Sequence, residues 1–309
     1  MLSFSTCWNN SRHQCGEQVI DEIVDLGFSN IELSHGMMIT KLPGLLDAFE
    51  KKKFNCCGVH NYFPSPVEVM IDAPDAYEYT SHRPFDRKRA MDLTLKTLEM
   101  ASHFEADYMV LHMGSVPMKP KRWTNKLTDL VKNEQAESKK FLKLKEKFIK
   151  KRAKIGEVYY SRAIEALEEI AEKAAEVGVK LAVESRSRYE DMPTETEMVA
   201  LQEHFKENPW VGYWHDFGHV QLKNNIHLLE HEQWLASMEP HLFGCHVHDV
   251  YGTERDHRVP LTGQIDFPKM LQYVDPKLPH TWELSPSRQT EQIKSSLELW
   301  KQQFPETLV

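Results

Sequence analysis

A chain of 309 residues with 41% hydrophobic content has the size and apolar share of one large globular core. Its net charge of −8 excludes a surface that binds nucleic acid over its whole extent, and no apolar run reaches the ~18 residues that span a bilayer. Five cysteines without a CxxC spacing argue against a disulfide framework; with no basic-then-apolar leader at the start, the expected location is the cytoplasm.

The first strand begins at once. Residues 16–26 carry Val19, Ile20, Ile23, Val24 and Leu26 at helical spacing and stop at Gly27, which suits a C-cap. Residues 29–33 read as the second strand and 57–60 as the third. From Asn61 to Phe85 the chain is rich in Pro, Ser, Asp and Tyr without periodicity, a loop over the strand ends. A helix over 87–104 leads into a fourth strand at 107–112.

The next stretch breaks the rhythm. Between His112 and Glu184 lie 72 positions where about 30 complete one strand–helix unit. The excess predicts an insertion at about 117–157 within a single domain. From Lys119 to Lys154 it holds twelve lysines, Lys121 among them, and two arginines against Asp129, Glu134, Glu137 and Glu146, a net +10. Phe141, Leu144, Phe148 and Ile155 fall at spacings of three, four and seven, an amphipathic helix. A solvated helical extension is the simpler reading of the basic run; a grip on phosphate or polyanion is the alternative. A helix over 164–177, closed by Gly178, precedes the fifth strand, and one over 292–303 ends the chain. Alternating strands and helices favour a parallel α/β fold, a (β/α)8 TIM barrel at this length.

Four titratable residues each end an apolar run: Glu184 after Val179-Lys180-Leu181-Ala182-Val183, Asp216 after Val211-Gly212-Tyr213-Trp214-His215, His246 after Leu242-Phe243-Gly244-Cys245, and Glu283 after His280-Thr281-Trp282. Their intervals are 32, 30 and 37 positions, one strand–helix unit each. Such groups cost free energy in a strand core unless paired or bound to a cation, and the C-terminal strand ends of a closed barrel converge on its active site. Three carboxylates and an imidazole suit one divalent cation, Mn²⁺ first, with Mg²⁺, Co²⁺ or Zn²⁺ accepted. His246 and His248 lie two apart, so a strand points both to one face.

Trp214-His215-Asp216-Phe217-Gly218-His219 resembles the W-x-D-x-G-H signature on the sixth strand of the xylose isomerase-like barrel superfamily. His246-Val247-His248-Asp249, Asp256-His257 and the run from Pro260 to Phe267 are similar to its seventh-strand block, and Glu184 and Glu283 fall where its ligating glutamates do. The superfamily includes sugar isomerases, ketose 3-epimerases, dehydratases and endonuclease IV-type phosphodiesterases. The resemblance implies a metal-dependent isomerase or epimerase of a small polyhydroxylated substrate. Glu184 and Glu283 would abstract and return a proton through an enediolate, and Asp216 would be a ligand only. It implies metal binding by His246 and substrate contacts from His219 and His248. His60, His112 and His257 match histidines of the endonuclease branch's three-metal cluster. That cluster needs an Asp-Arg-His triplet, and Arg255-Asp256-His257 puts a guanidinium where the carboxylate belongs, which repels a cation.

The phosphodiesterase reading therefore ranks below isomerase and dehydratase, and no nucleic-acid or membrane partner is expected. His60, His112 and His257 become substrate contacts, with core packing as the alternative for the first two. Glu32 meets a substrate hydroxyl or a buried ion pair. Arg186, Arg188 and Arg258 flank the predicted mouth, with Arg188 taken as the anion contact; salt bridges to Glu190, Asp191 or Asp256 explain them equally. Trp8, Tyr62, Phe63, Trp214 and Trp282 offer flat walls for a sugar or plain core packing. Assembly into a homo-oligomer is compatible with the sequence.

Overall fold

The computed structural model describes residues 1–69, 73–119 and 122–308; Lys121 of the basic run and residues 70–72 of the predicted loop lie outside them. In chain order the elements are β1 (Leu2–Ser5), α1 (Gly16–Leu26), β2 (Asn30–Leu33), α2 (Leu42–Glu50), β3 (Asn55–His60), α3 (Pro84–His103), β4 (Tyr108–Leu111), α4 (Trp123–Lys132), α5 (Lys139–Val177) and β5 (Lys180–Glu184). Then come α6 (Glu195–His204), β6 (Val211–Asp216), α7 (Phe217–Asn225), α8 (His231–Met238), β7 (Leu242–Val247), β8 (Asp249–Tyr251), β9 (Arg255–Arg258), α9 (Phe267–Met270), β10 (His280–Trp282) and α10 (Thr290–Gln303).

Strands β1 to β7 and β10 pair in parallel and close into a barrel, order β1-β10-β7-β6-β5-β4-β3-β2. This is the (β/α)8 architecture that the alternating pattern predicts. β8 and β9 form a separate antiparallel hairpin after the seventh barrel strand. Gly27 (φ 101°) and Gly178 (φ 75°) cap α1 and α5 in the left-handed region, where a Cβ would be strained. Among the described residues no helix is long and apolar enough to cross a membrane, and none of the five cysteines forms a disulfide.

The barrel interior is packed with aromatic rings and wired with hydroxyls. The Tyr108 ring lies over Gly58 and the Trp214 ring over Gly244, where an added Cβ would sit 2.2 and 2.3 Å from ring carbons. Tyr108 bonds to Thr281 (3.0 Å) and Thr281 to Ser3 (2.7 Å). Trp8, Tyr62, Phe63, Trp214 and Trp282 are all buried in packing, and none lines the cavity described below.

The basic segment departs from its expected form. It contributes α4 and the first half of α5, and α5 runs unbroken for 39 residues into the helix expected at 164–177. Its buried stripe continues from Phe141 and Phe148 through Arg152 and Gly156 to Tyr159, Ala163 and Leu167. Arg152 is 1% exposed and forms a double hydrogen bond to Glu197 of α6 (2.8 and 2.9 Å).

Candidate metal centre and substrate cavity

Glu184 and Asp216 are the last residues of β5 and β6, His246 stands one before the end of β7, and Glu283 follows β10. Barrel closure turns these ends toward one point. One ligand atom from each of the four lies within 4.8 Å of all the others, and none of the four residues is more than 4% exposed. His246 Nδ1 is 3.2 Å from Glu184, 3.4 Å from Glu283 and 3.7 Å from Asp216.

Three carboxylates this close repel each other strongly out of water, so the set calls for positive charge. The imidazoles supply part of it. Burial works against charge on His246, but Glu283 and Glu32 outweigh it and hold the ring well above its ordinary pKa. Burial would raise Glu184 and Asp216, yet His112 holds the first and His219 and His248 the second well below the usual carboxylate range. Glu283, against its own burial, is brought to about 2 by His246 and His257. A buried cluster of ionised carboxylates around one imidazole nitrogen has the donor chemistry of a hard or borderline divalent cation.

Neighbours set the orientation of each ring. His246 turns Nε2 to Glu32, 3.2 Å from both carboxylate oxygens, which leaves Nδ1 for the carboxylates. Glu32 is fully buried and also accepts from Tyr108 (3.1 Å). It lies beneath the histidine, so the expected substrate contact gives way to the buried pair. His60, His219 and His257 each have Nδ1 against a main-chain carbonyl, of Asn61 (3.0 Å), Ser185 (3.1 Å) and Glu283 (3.1 Å). A carbonyl only accepts, so Nδ1 carries the proton and Nε2 of the neutral ring is the lone-pair side. His112 differs: Nδ1 donates to Asp75 (2.8 Å) and Nε2 to Glu184 (2.6 Å), and against burial and Arg186 these two carboxylates hold the ring above its ordinary pKa. Burial and His35 lower the pKa of His60, burial and His248 that of His257; His219, despite burial, is raised to about 10 by Asp216 and Glu184.

His248 behaves differently. Its Nδ1 accepts from the His257 main-chain N–H (2.9 Å), so Nε2–H donates to Asp216 (3.0 Å). The ring is fully buried and packs on Gly218, where a Cβ would lie 2.0 Å from it. It sits behind Asp216 and is absent from the cavity wall, unlike the substrate contact expected of it.

The cavity over these groups has a volume of ≈ 320 Å³ and is lined by Glu184, Glu283, His35, His60, His112, His219, His257, Arg186 and Cys7, with Pro74 and the turn Leu284-Ser285-Pro286 at its rim. Asp216 and His246 do not reach its wall. Arg188 is exposed and bonds Asn125 (3.1 Å); the mouth arginine is Arg186, held by Asp75 (2.8 Å). Arg258 lies outside this wall. Asp75 and His35 complete the site without having been singled out for it, and Arg186, expected beside the mouth, takes the place given to Arg188. His35, two residues past β2, obeys the same strand-end rule as the four converging residues.

Among the described residues three further groups flank the first. His35, His60 and Glu283 bring ligand atoms together, as do His60, His112 and Glu184, and likewise His219, His248 and His257. Arg255 is exposed on β9, and the latter trio forms from imidazoles alone.

A closed parallel barrel with charged and imidazole side chains gathered at its C-terminal strand ends defines the class as a TIM-barrel protein with a catalytic-type mouth. The chain belongs to the xylose isomerase-like TIM barrel family, whose model matches residues 20–303. No curated protein matches it by sequence. Among solved structures it is similar to a putative xylose isomerase from Rhodospirillum rubrum (14% identity, TM-score 0.71, covering 97% of this chain and 98% of that one). It is also similar to a D-tagatose 3-epimerase-like protein (15%, 0.69, 99% and 98%) and to D-psicose 3-epimerase from Clostridium cellulolyticum H10 (14%, 0.65, 97% and 98%).

Proposed function

We propose that this protein is a divalent-metal-dependent isomerase or epimerase of a small sugar, sugar phosphate or keto-acid. One observation carries the reading: of the four converging ligands, only Glu184 and Glu283 line the cavity, while Asp216 and His246 stand behind them. A cation held by Glu184, Asp216, His246 and Glu283, Mn²⁺ by preference, would supply Lewis-acid polarisation of the substrate carbonyl and its neighbouring hydroxyl. The two glutamates are the groups that take a proton from the carbon beside that carbonyl and return it. Glu32 and His248 hold the two inner residues, His246 and Asp216 respectively. His60 and His257 offer hydrogen-bond acceptors to hydroxyls, and the cationic His219 and Arg186 offer donors. The sugar epimerases among the structural neighbours support a sugar-sized, polyhydroxylated substrate.

The test is proton–deuterium exchange into a panel of ketoses and keto-acids by Mn²⁺-loaded protein. Exchange and turnover are expected to vanish in Glu184→Gln with the fold intact; full activity in that variant removes Glu184 from the chemistry. Net loss of water from the substrate instead of exchange would assign a dehydratase built on the same glutamates.

The flanking groups His60–His112–Glu184 and His219–His248–His257 favour a second reading, a multi-metal phosphodiesterase of the endonuclease IV type. It requires three cations per chain and nicking of abasic DNA, where the first reading requires one cation and no nicking. The exposed Arg255 in place of a carboxylate keeps it second.

A further inference from the structure

One face of α5 takes no part in the site. Lys139, 143, 147, 150 and 154 follow one another at steps of three or four, then Val158 and Ser161, then Glu165, 168, 172 and 176; every one is exposed. They form a single stripe along the helix, lysine in the first half and glutamate in the second. This order works against the helix itself. The first turn carries no acid and the last no base, the reverse of what the macrodipole favours, and like charges stand at i,i+4 in both halves. Some stripe charges have local partners: Lys150 with Glu146, Glu168 with His204, Glu176 with Lys173. These are exposed pairs of the weak, exchangeable kind.

A stripe that repels itself along one helix is complementary to its own reverse. We propose that α5 is a self-association element, through which two copies of this chain pair antiparallel about a two-fold axis at Glu157 and Val158. In that register Lys139 faces Glu176, Lys143 faces Glu172, Lys147 faces Glu168 and Lys150 faces Glu165. Symmetry makes every pair occur twice, as an isologous contact demands. Glu146 opposite Glu169 is the one like-charge pair. Val158, 48% exposed, meets its own copy at the centre. The matched stripe is about 57 Å long at ~1.5 Å per residue.

Analytical ultracentrifugation of the full chain at low and high salt tests this, with charge-reversed variants. The wild type is expected to dimerise at low salt and to dissociate as salt rises. K143E/K147E and E168K/E172K should each weaken self-association by more than about tenfold. Mixing the two should restore a heterodimer, because every reversed charge then meets its opposite; misfolded variants would not show this. A wild type that stays monomeric at low salt overturns the proposal. So do variants that dimerise as well as wild type, a mixture that stays monomeric, or a chain whose lysines engage only added duplex DNA.

Discussion

Replacing Glu32 by glutamine probes the assignment of His246 without touching a cavity residue. The carboxylate lies 3.2 Å from Nε2 with both oxygens and accepts from Tyr108 at 3.1 Å. Glutamine keeps the size and one acceptor oxygen, so the barrel should fold. What goes is the negative charge that keeps the imidazole basic and Nδ1 aimed at the carboxylates. Loss of such an outer carboxylate weakens metal binding by about 10–100-fold, or about 1.4–2.7 kcal/mol. Calorimetric titration with Mn²⁺ measures it, with the melting temperature as control. Glu32→Leu should do more, stranding the His246 N–H at about 1–3 kcal/mol while the Tyr108 hydroxyl keeps Thr281, read from urea denaturation. Wild-type Mn²⁺ affinity in a natively folded Glu32→Gln would refute the role given to His246.

Three further outcomes are expected. Glu197→Ala leaves Arg152 buried without its counter-charge and should cost about 3–5 kcal/mol in denaturant unfolding, whereas Arg152→Met should cost far less. Gly156→Ala should destabilise although alanine suits a helix better by about 1 kcal/mol, because its Cβ would lie 2.2 Å from the pinned Arg152 Nη1; a higher melting temperature would show that the guanidinium yields. His231, buried against His215 (2.9 Å) and Gln221 (2.8 Å), has its pKa lowered by burial to about 3. Its stabilising contribution is complete above pH ~6.5. Acid removes it, since only the unfolded chain takes up the proton, by about 2 kcal/mol between pH 7 and pH 5. Urea midpoints against pH should show a flatter acid limb in His231→Gln.

The barrel was legible because strand ends carry a chemical mark. Glu184, Asp216, His246 and Glu283 are costly in strand cores and recur at one unit's spacing, so period and polarity alone place them together. The continuity of α5 was hidden because its core-facing stripe passes through Arg152 and Gly156, residues that read as a break. Only the distant Glu197 makes that arginine a core residue. The choice of Arg186 over Arg188, and the part played by Asp75, depend on how loops fold back, which no periodicity encodes. The orientation of His248 escaped for a similar reason: a main-chain N–H nine residues away decides which nitrogen bears its proton.

Glu184 stands in two of the neighbouring ligand groups at once, with Asp216, His246 and Glu283 on one side and His60 and His112 on the other. A shared carboxylate is a thermodynamic linkage. Whatever engages it from one side changes its value to the other, by the same factor in both directions. A ligand that draws on the two histidines will therefore change the apparent affinity of the inner set for a cation.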